Sequence, residues 1–301
     1  MISQELRARI KKLKLISRRF VKSTIVGDYL SAFKGMGMEF HQLREYQPGD
    51  EVRLIDWNSF AKSNKFMVKQ FIEERDRTVI LVIDISASSG YSSKDELRQD
   101  TISQVASVLA MVASENKDKV GALFFSDHVE KWIPPSRKAS SIGLILEDLL
   151  KLRPTAKKTS IKDSLRFLAD LKKSNAIIFF LSDWIDEENS YSKLLKVVSC
   201  KHDFIAVRLL DDCEKSLPNI GLIDVCDPET GEMTTISLSD QKYASEDSFA
   251  KKSLNDVLAT RIQKQKKLFN LYKIDLLDLR VGLPFINDLT KFFHKRIRRS
   301  I

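Results

Sequence analysis

Asp84, Ser86 and Ser88 stand at alternate positions at the end of an apolar run, in the stretch VILVIDISASSG. A carboxylate and two hydroxyls are hard oxygen donors, suited to Mg²⁺ or Ca²⁺ rather than to zinc. Mg²⁺ keeps several waters and needs few protein ligands, so a light set of side chains suffices. Taken alone, the run admits a second reading, in which Asp84 caps the following turn or helix and the serines are small loop residues. Two further positions fit the same chemistry. FFLSDW ends another apolar run with Ser182 and Asp183, and PTAKKTSIKDSL offers Thr159 just ahead of a helix. In an open parallel sheet, ligands bind outside the carboxyl ends of the strands. The candidate metal set is therefore Asp84, Ser86, Ser88, Thr159 and Asp183.

Other chemistries have weaker footing. Asp84 could be read as the nucleophile of a phosphohydrolase of the haloacid-dehalogenase kind. That reaction normally uses a second aspartate two residues on, and Ser86 holds that position. His41, His128, His202 and His294 are scattered, with no partner that would make a catalytic triad. Cys200, Cys213 and Cys226 form no C-x-x-C pair and are odd in number, against a zinc site or a disulfide scaffold. No catalytic residue is assigned, and the reading is a protein that is not an enzyme.

The elements that must carry these side chains follow from periodicity. VILVIDI, KVGALFFS, NAIIFFLSD and DFIAVRLL are continuous Val/Ile/Leu/Phe runs of strand length. Between them lie amphipathic stretches: roughly 95–114, SSIGLILEDLLKL, SIKDSLRFLADLKK and SYSKLLKVVSCK. Apolar strands alternating with helices predict an α/β fold, with a mostly parallel sheet covered on both faces. HVEKWIP reads as a polar-edged strand. After Leu210 an inserted hairpin (GLIDVCDPETGEMTTISL), a long helix over 245–272, a last strand (KIDLLDLRV) and a closing basic helix complete the core. Residues 1–75 read as a basic amphipathic helix followed by a small β-rich or irregular segment, residues 76–210 as the core with the metal site, and residues 211–301 as its completion. Within the first segment, Asp50 and Arg53 are expected to pair across a turn, and Trp57 to anchor packing.

Charge is unevenly distributed. The net charge of +9 includes +7 from residues 1–25 and +5 from residues 291–301, leaving −3 in between. Contact with nucleic acid or an anionic membrane surface is thus a property of the ends, if of anything. No apolar run is long enough to span a bilayer, and the basic N-terminus lacks the apolar core of a leader. The expected location is the cytoplasm.

Asp84-x-Ser86-x-Ser88 with Thr159 and Asp183 resembles the metal-ion-dependent adhesion site (MIDAS) of von Willebrand factor A-type domains. The flanking pieces FKGMGMEF, LREYQPGDEVRLIDWN, EER, ALFFSDHVEKWIPP, DPETGE and FFHKRIRR resemble the DUF fifty-eight family of bacterial A-type proteins, over nearly the whole chain. The resemblance implies a Rossmann-like A-type fold. It implies Mg²⁺, or alternatively Ca²⁺ or Mn²⁺, held directly or through water by Asp84, Ser86, Ser88 and Thr159, with Asp183 in the outer shell. It implies one coordination position left for an acidic side chain of a protein partner. It also implies association with a MoxR-type AAA+ ATPase, in a chaperone-like adaptor role in remodelling or maturing other proteins.

Overall fold

A computed structural model of the chain describes residues 25–33, 38–73, 77–86, 97–153, 159–172, 175–212, 222–226, 233–237 and 247–300, with helical positions also at 11, 13 and 15. Most of the basic N-terminal helix, Ser88 and the DPETGE turn lie outside the described residues.

The body is a six-stranded sheet in the order β10-β7-β6-β3-β4-β5. Its strands are β3 (Thr78–Asp84), β4 (Lys119–Phe125), β5 (Val129–Ser136), β6 (Ile177–Ser182), β7 (Asp203–Leu210) and β10 (Asp275–Arg280). All neighbours pair in parallel except β4 and β5. The antiparallel β5 is an edge strand, which accommodates Pro134 and Pro135, since proline cannot donate to a ladder. Gly121 of β4 is required by this neighbour: a Cβ there would stand 2.8 Å from the Ile133 carbonyl oxygen and 2.8 Å from the Pro135 nitrogen.

Alternate residues of β3 feed two cores. Val79, Leu81 and Ile83 pack with helices α3 (Arg98–Glu115), α4 (Ala139–Lys151) and α8 (Ile286–Ser300). Ile80 and Val82 pack with α5 (Ile161–Asp170), α6 (Glu188–Lys201) and α7 (Asp247–Leu271). Burial on both faces explains why these strands read as unbroken apolar runs. The mostly parallel sheet covered on both sides is the α/β architecture expected from the alternation. The hairpin is present as β8 (Leu222–Cys226) paired antiparallel with β9 (Met233–Ser237). Among the described residues no helix is long and apolar enough to cross a membrane.

The segment read as β-rich holds an antiparallel pair, β1 (Met38–Glu45) with β2 (Met67–Glu73), and also two helices. Helix α1 (Ile25–Ala32) buries Ile25, Tyr29 and Ala32, one face at helical spacing, and then Phe33. The Tyr29 and Phe33 rings meet Phe293 of α8 at 5.8 and 6.0 Å, and Tyr29 Oη donates to Asp118 Oδ2 at 2.8 Å. This helix was hidden because it is short and carries Gly27, a weak helix former. Helix α2 (Trp57–Ser63) ends at Asn64, whose φ of 54° closes the turn in the left-handed region.

Two side-chain expectations are corrected here. Asp50 pairs with Arg44, not Arg53, through two bonds of 2.6 and 2.7 Å, and also accepts from the Gln47 amide. Arg44 sits on β1 and reaches the turn from the strand, whereas Arg53 points to solvent, 3.7 Å from Glu51. Trp57 is 57% exposed and stands edge-on to Phe60 and Phe66 on the surface, so it does not anchor a core. At the other end, α8 is only partly a basic tail: Arg296 lies over the Phe33 ring at 4.6 Å and pairs with Asp203 at 2.7 Å.

Candidate metal-binding edge

The strand order, counted from β5 to β10, is that of a doubly wound sheet, and β3 is where the direction of winding reverses. The connection that leaves β3 turns toward β4 and the one that leaves β6 turns toward β7, so a crevice opens beyond the carboxyl ends of β3 and β6. Asp84, the last residue of β3, is paired in register with Phe125 of β4, and Ile83 is paired with Leu181 of β6. Asp84 is therefore flanked on one side by Phe125 and on the other by Ser182.

The Asp84 carboxylate is fully buried. Its Oδ1 accepts from the Ser86 backbone N–H at 2.9 Å, an Asx turn that fixes the start of the loop. Its Oδ2 accepts from the Ser182 hydroxyl at 2.7 Å. Burial, and then the nearby charge of Asp183, push its pKa up to about 6, while hydrogen bonds from the Ser86 hydroxyl, the Ser182 hydroxyl and the Ser86 amide pull the other way. Asp84 and Asp183 thus stand near each other out of water, and the like charge adds to the cost of ionising Asp84.

Asp183 is oriented at both oxygens. Oδ1 accepts from the Ile185 amide at 3.0 Å, and Oδ2 accepts from Arg98 Nη1 at 2.5 Å, in an ion pair almost closed to solvent. Its neighbour Trp184 has a φ of 60°, a strained value for a residue with a bulky side chain. The strain is held on three sides. The Trp184 N–H donates to Ser182 Oγ at 3.0 Å, its carbonyl accepts from Gln265 Nε2 at 2.6 Å, and its ring packs on Phe180 and Phe269 at 4.7 and 4.9 Å. Gln265 is in turn fixed by Arg208, whose Nη1 donates to Oε1 at 2.6 Å.

Thr159 is half-buried and immediately precedes Ser160, the N-cap of α5. The Ser160 amide donates to the carbonyl of Ser126, which follows β4, at 2.8 Å. Asp186 Oδ2 accepts from the Ile161 amide at 3.1 Å. These two bonds draw the start of α5 onto the edge occupied by Asp84 and Asp183. No hydrogen bond of Thr159 itself is present among the described residues.

Of the five residues chosen from the sequence, the fold thus gathers Asp84, Ser86 and Asp183, sets Thr159 on the same edge, and leaves Ser88 outside the described residues. Ser182 and Arg98 were not in the set. Ser182 was visible at a strand end but carried no expected role. Arg98 had a signal in hindsight: it begins a stripe with Ile102, Val105 and Leu109 at helical spacing, and a charge on an apolar stripe requires a buried partner.

The donor set fits a small hard cation. It offers carboxylate and hydroxyl oxygens, and the charge that burial makes costly at Asp84 is what a divalent ion would neutralise. Asp84, Ser86 and Thr159 are the residues that would hold such an ion, with Asp183 behind them, fixed by Arg98. Among the described residues there is no cluster of three or more His, Cys, Asp or Glu side chains placed to hold a metal.

Several known proteins resemble this chain. The uncharacterized protein Rv1480 of Mycobacterium tuberculosis is 23% identical over 299 residues, covering 99% of this chain and 92% of that protein. The uncharacterized protein YeaD of Bacillus subtilis is 31% identical over 93 residues, which is 31% of this chain and 21% of YeaD. Among solved structures, the conserved hypothetical protein BatB of Bacteroides thetaiotaomicron matches 74% of this chain and 99% of its own, at 15% identity and a TM-score of 0.46. The SpRpn10 VWA domain matches 71% and 93%, at 10% identity and a TM-score of 0.38. Residues 42–255 match the family described as protein of unknown function DUF58, and the chain belongs to that family.

Proposed function

We propose that the edge formed by β3, β6 and the start of α5 binds a divalent cation, Mg²⁺ first, and that the protein uses it to bind an acidic side chain of a protein partner. The observation that carries this reading is Asp84. It is a carboxylate buried at the switch point, its pKa raised to about 6 by burial and by Asp183. Burying a carboxylate is expensive, and ionisable groups with strongly perturbed pKa values cluster at functional sites. The bound cation would supply a Lewis-acid position for an incoming carboxylate. The residues themselves supply the rest: Ser182 and the Ser86 amide orient Asp84, and Arg98 holds Asp183 in place. In this role the protein is an adaptor and not an enzyme, working in the cytoplasm. A MoxR-type AAA+ ATPase is the partner that the sequence resemblance puts first.

Titration calorimetry of the full chain with Mg²⁺ and Mn²⁺ tests the cation. The wild type should bind and Asp84→Asn should not, while Asp84→Asn keeps or gains thermal stability in metal-free buffer because the buried charge is gone. Equal metal affinity in wild type and Asp84→Asn would sink the assignment, as would no uptake by wild type at millimolar metal. Pull-down of the ATPase with and without EDTA tests the partner separately.

A further inference from the structure

We infer that the groove between α6 and α7 is a docking site for an amphipathic helix of a partner protein, separate from the cation edge and independent of the metal. The groove is about 1490 Å³, and α7 forms one wall with the first turns of α6 opposite. That is larger than a typical small-molecule pocket, about 300–1,000 Å³. The residues that α7 contributes follow a helical-seam spacing. Val257, Arg261, Lys264, Leu268 and Leu271 line the groove at steps of four, three, four and three. Thr260, Gln265 and Lys267 flank them. The seam residues form one face of the helix, apolar at Val257, Leu268 and Leu271 and basic at Arg261 and Lys264. The stretch from Val257 to Leu271 is about 21 Å long, four turns of helix. Its two ends are apolar and open to solvent, Val257 at 61% and Leu271 at 72% exposure, while Leu268 between them is buried.

Charge selects the occupant. The α7 wall carries Arg261, Lys264 and Lys267, with Asp256 at one end. The opposite wall carries Asp186, Glu187 and Glu188 at the start of α6. A helix lying between them is matched by acidic residues on the flank that faces α7, basic residues on the flank that faces α6, and apolar residues at its two ends. Tyr191 lies buried beneath the floor of the groove.

The test uses four labelled 16-residue helical peptides read by fluorescence anisotropy against the full chain. They share one scaffold and carry opposite charges on the two flanks, Lys on both, Glu on both, or opposite charges with Ser replacing the apolar seam. The opposite-flank peptide should bind about fivefold or more tighter than either single-charge peptide, in line with several partly exposed ion pairs. The Ser-seam peptide should not bind, and EDTA should change nothing. Val257→Glu with Leu271→Glu, both at exposed positions, should weaken binding about tenfold with the thermal melt unchanged. Lys264→Glu with Lys267→Glu should transfer the preference to the Lys peptide. Equal binding of all charge patterns, no binding of any peptide, loss of binding in EDTA, or an unchanged preference in the charge-reversed variant would overturn the proposal. So would self-association of the chain that Val257→Glu with Leu271→Glu abolishes, since a second copy would then be the occupant.

Discussion

Arg208→Met should cost the fold about 3–4 kcal/mol, and the structure shows how that figure arises. Arg208 is fully buried in β7. Its Nε and Nη2 grip both oxygens of Asp278 on the neighbouring β10 at 2.8 and 3.0 Å, and its Nη1 donates to Gln265 of α7 at 2.6 Å. Met fills most of the volume, so the cavity contribution is small. What remains is three abandoned acceptors, of which the Ile262 carbonyl, 3.4 Å from Nη1, is the most weakly held. The Gln265 amide oxygen is buried, and an orphaned buried acceptor costs about 1–3 kcal/mol. Asp278 is 32% exposed, and Lys266 stands 3.9 Å away, so water and a neighbouring cation take up its charge. That keeps its share below the full cost of an abandoned buried ion, for which breaking a pair runs to about 3–5 kcal/mol. Urea melts measure the difference; guanidinium would screen the charges being tested. The double variant Arg208→Met with Asp278→Leu should recover about half or more of the loss, because it removes both charges. A single-variant loss below about 1 kcal/mol with an unchanged m-value would refute the reasoning and make the network replaceable by water.

Two further outcomes can be checked on the same instrument. His202 is buried beside β7, with its Nδ1 accepting from the Ala176 amide at 3.3 Å, and burial and then Lys201 lower its pKa. Unfolding therefore takes up a proton as pH falls from about 6.5 toward the lower folded value, so stability should drop across that window and level off below it. His202→Gln should flatten that part of the curve; an unchanged slope would mean that another group titrates there. Gly121→Ala places a methyl against the backbone of the edge strand β5, 2.8 Å from two of its atoms, and should destabilise by about 1–3 kcal/mol. A thermal melt within a degree of wild type would show that β5 moves aside freely.

How far the sequence could be read depended on whether the signal was local. Continuous apolar runs announced β3, β4, β6 and β7, because strands covered on both faces need no polar side. They also located Asp84 and Asp183, since each is the first acid after such a run or within one residue of it. Helix α1 was not legible. Its eight residues carry too few turns to show a period, and its stability comes from Phe293, Phe179 and Arg296, far along the chain. Arg98 was hidden for a related reason. Its partner Asp183 is 85 residues away, and only the folded sheet brings the start of α3 to the end of β6. The expected pairing of Asp50 with Arg53 fails for a local reason: Arg44, six residues back on β1, reaches the turn from the strand.

Several long-range contacts converge on the edge that carries Asp84. A buried carboxylate such as Asp84 destabilises the fold unless its neighbours are fixed, and the neighbours here are fixed from elements of both layers. Arg98 arrives from α3 on one face of the sheet. Gln265, backed by Arg208 and Asp278, arrives from α7 on the other face and holds the strained Trp184 that follows Asp183. Ser182 ties the two strand ends together directly. The strain at Trp184 and the charge at Asp84 are therefore supported by the whole thickness of the domain. That support argues for a geometry set before any ligand arrives, with little left for the ligand to organise.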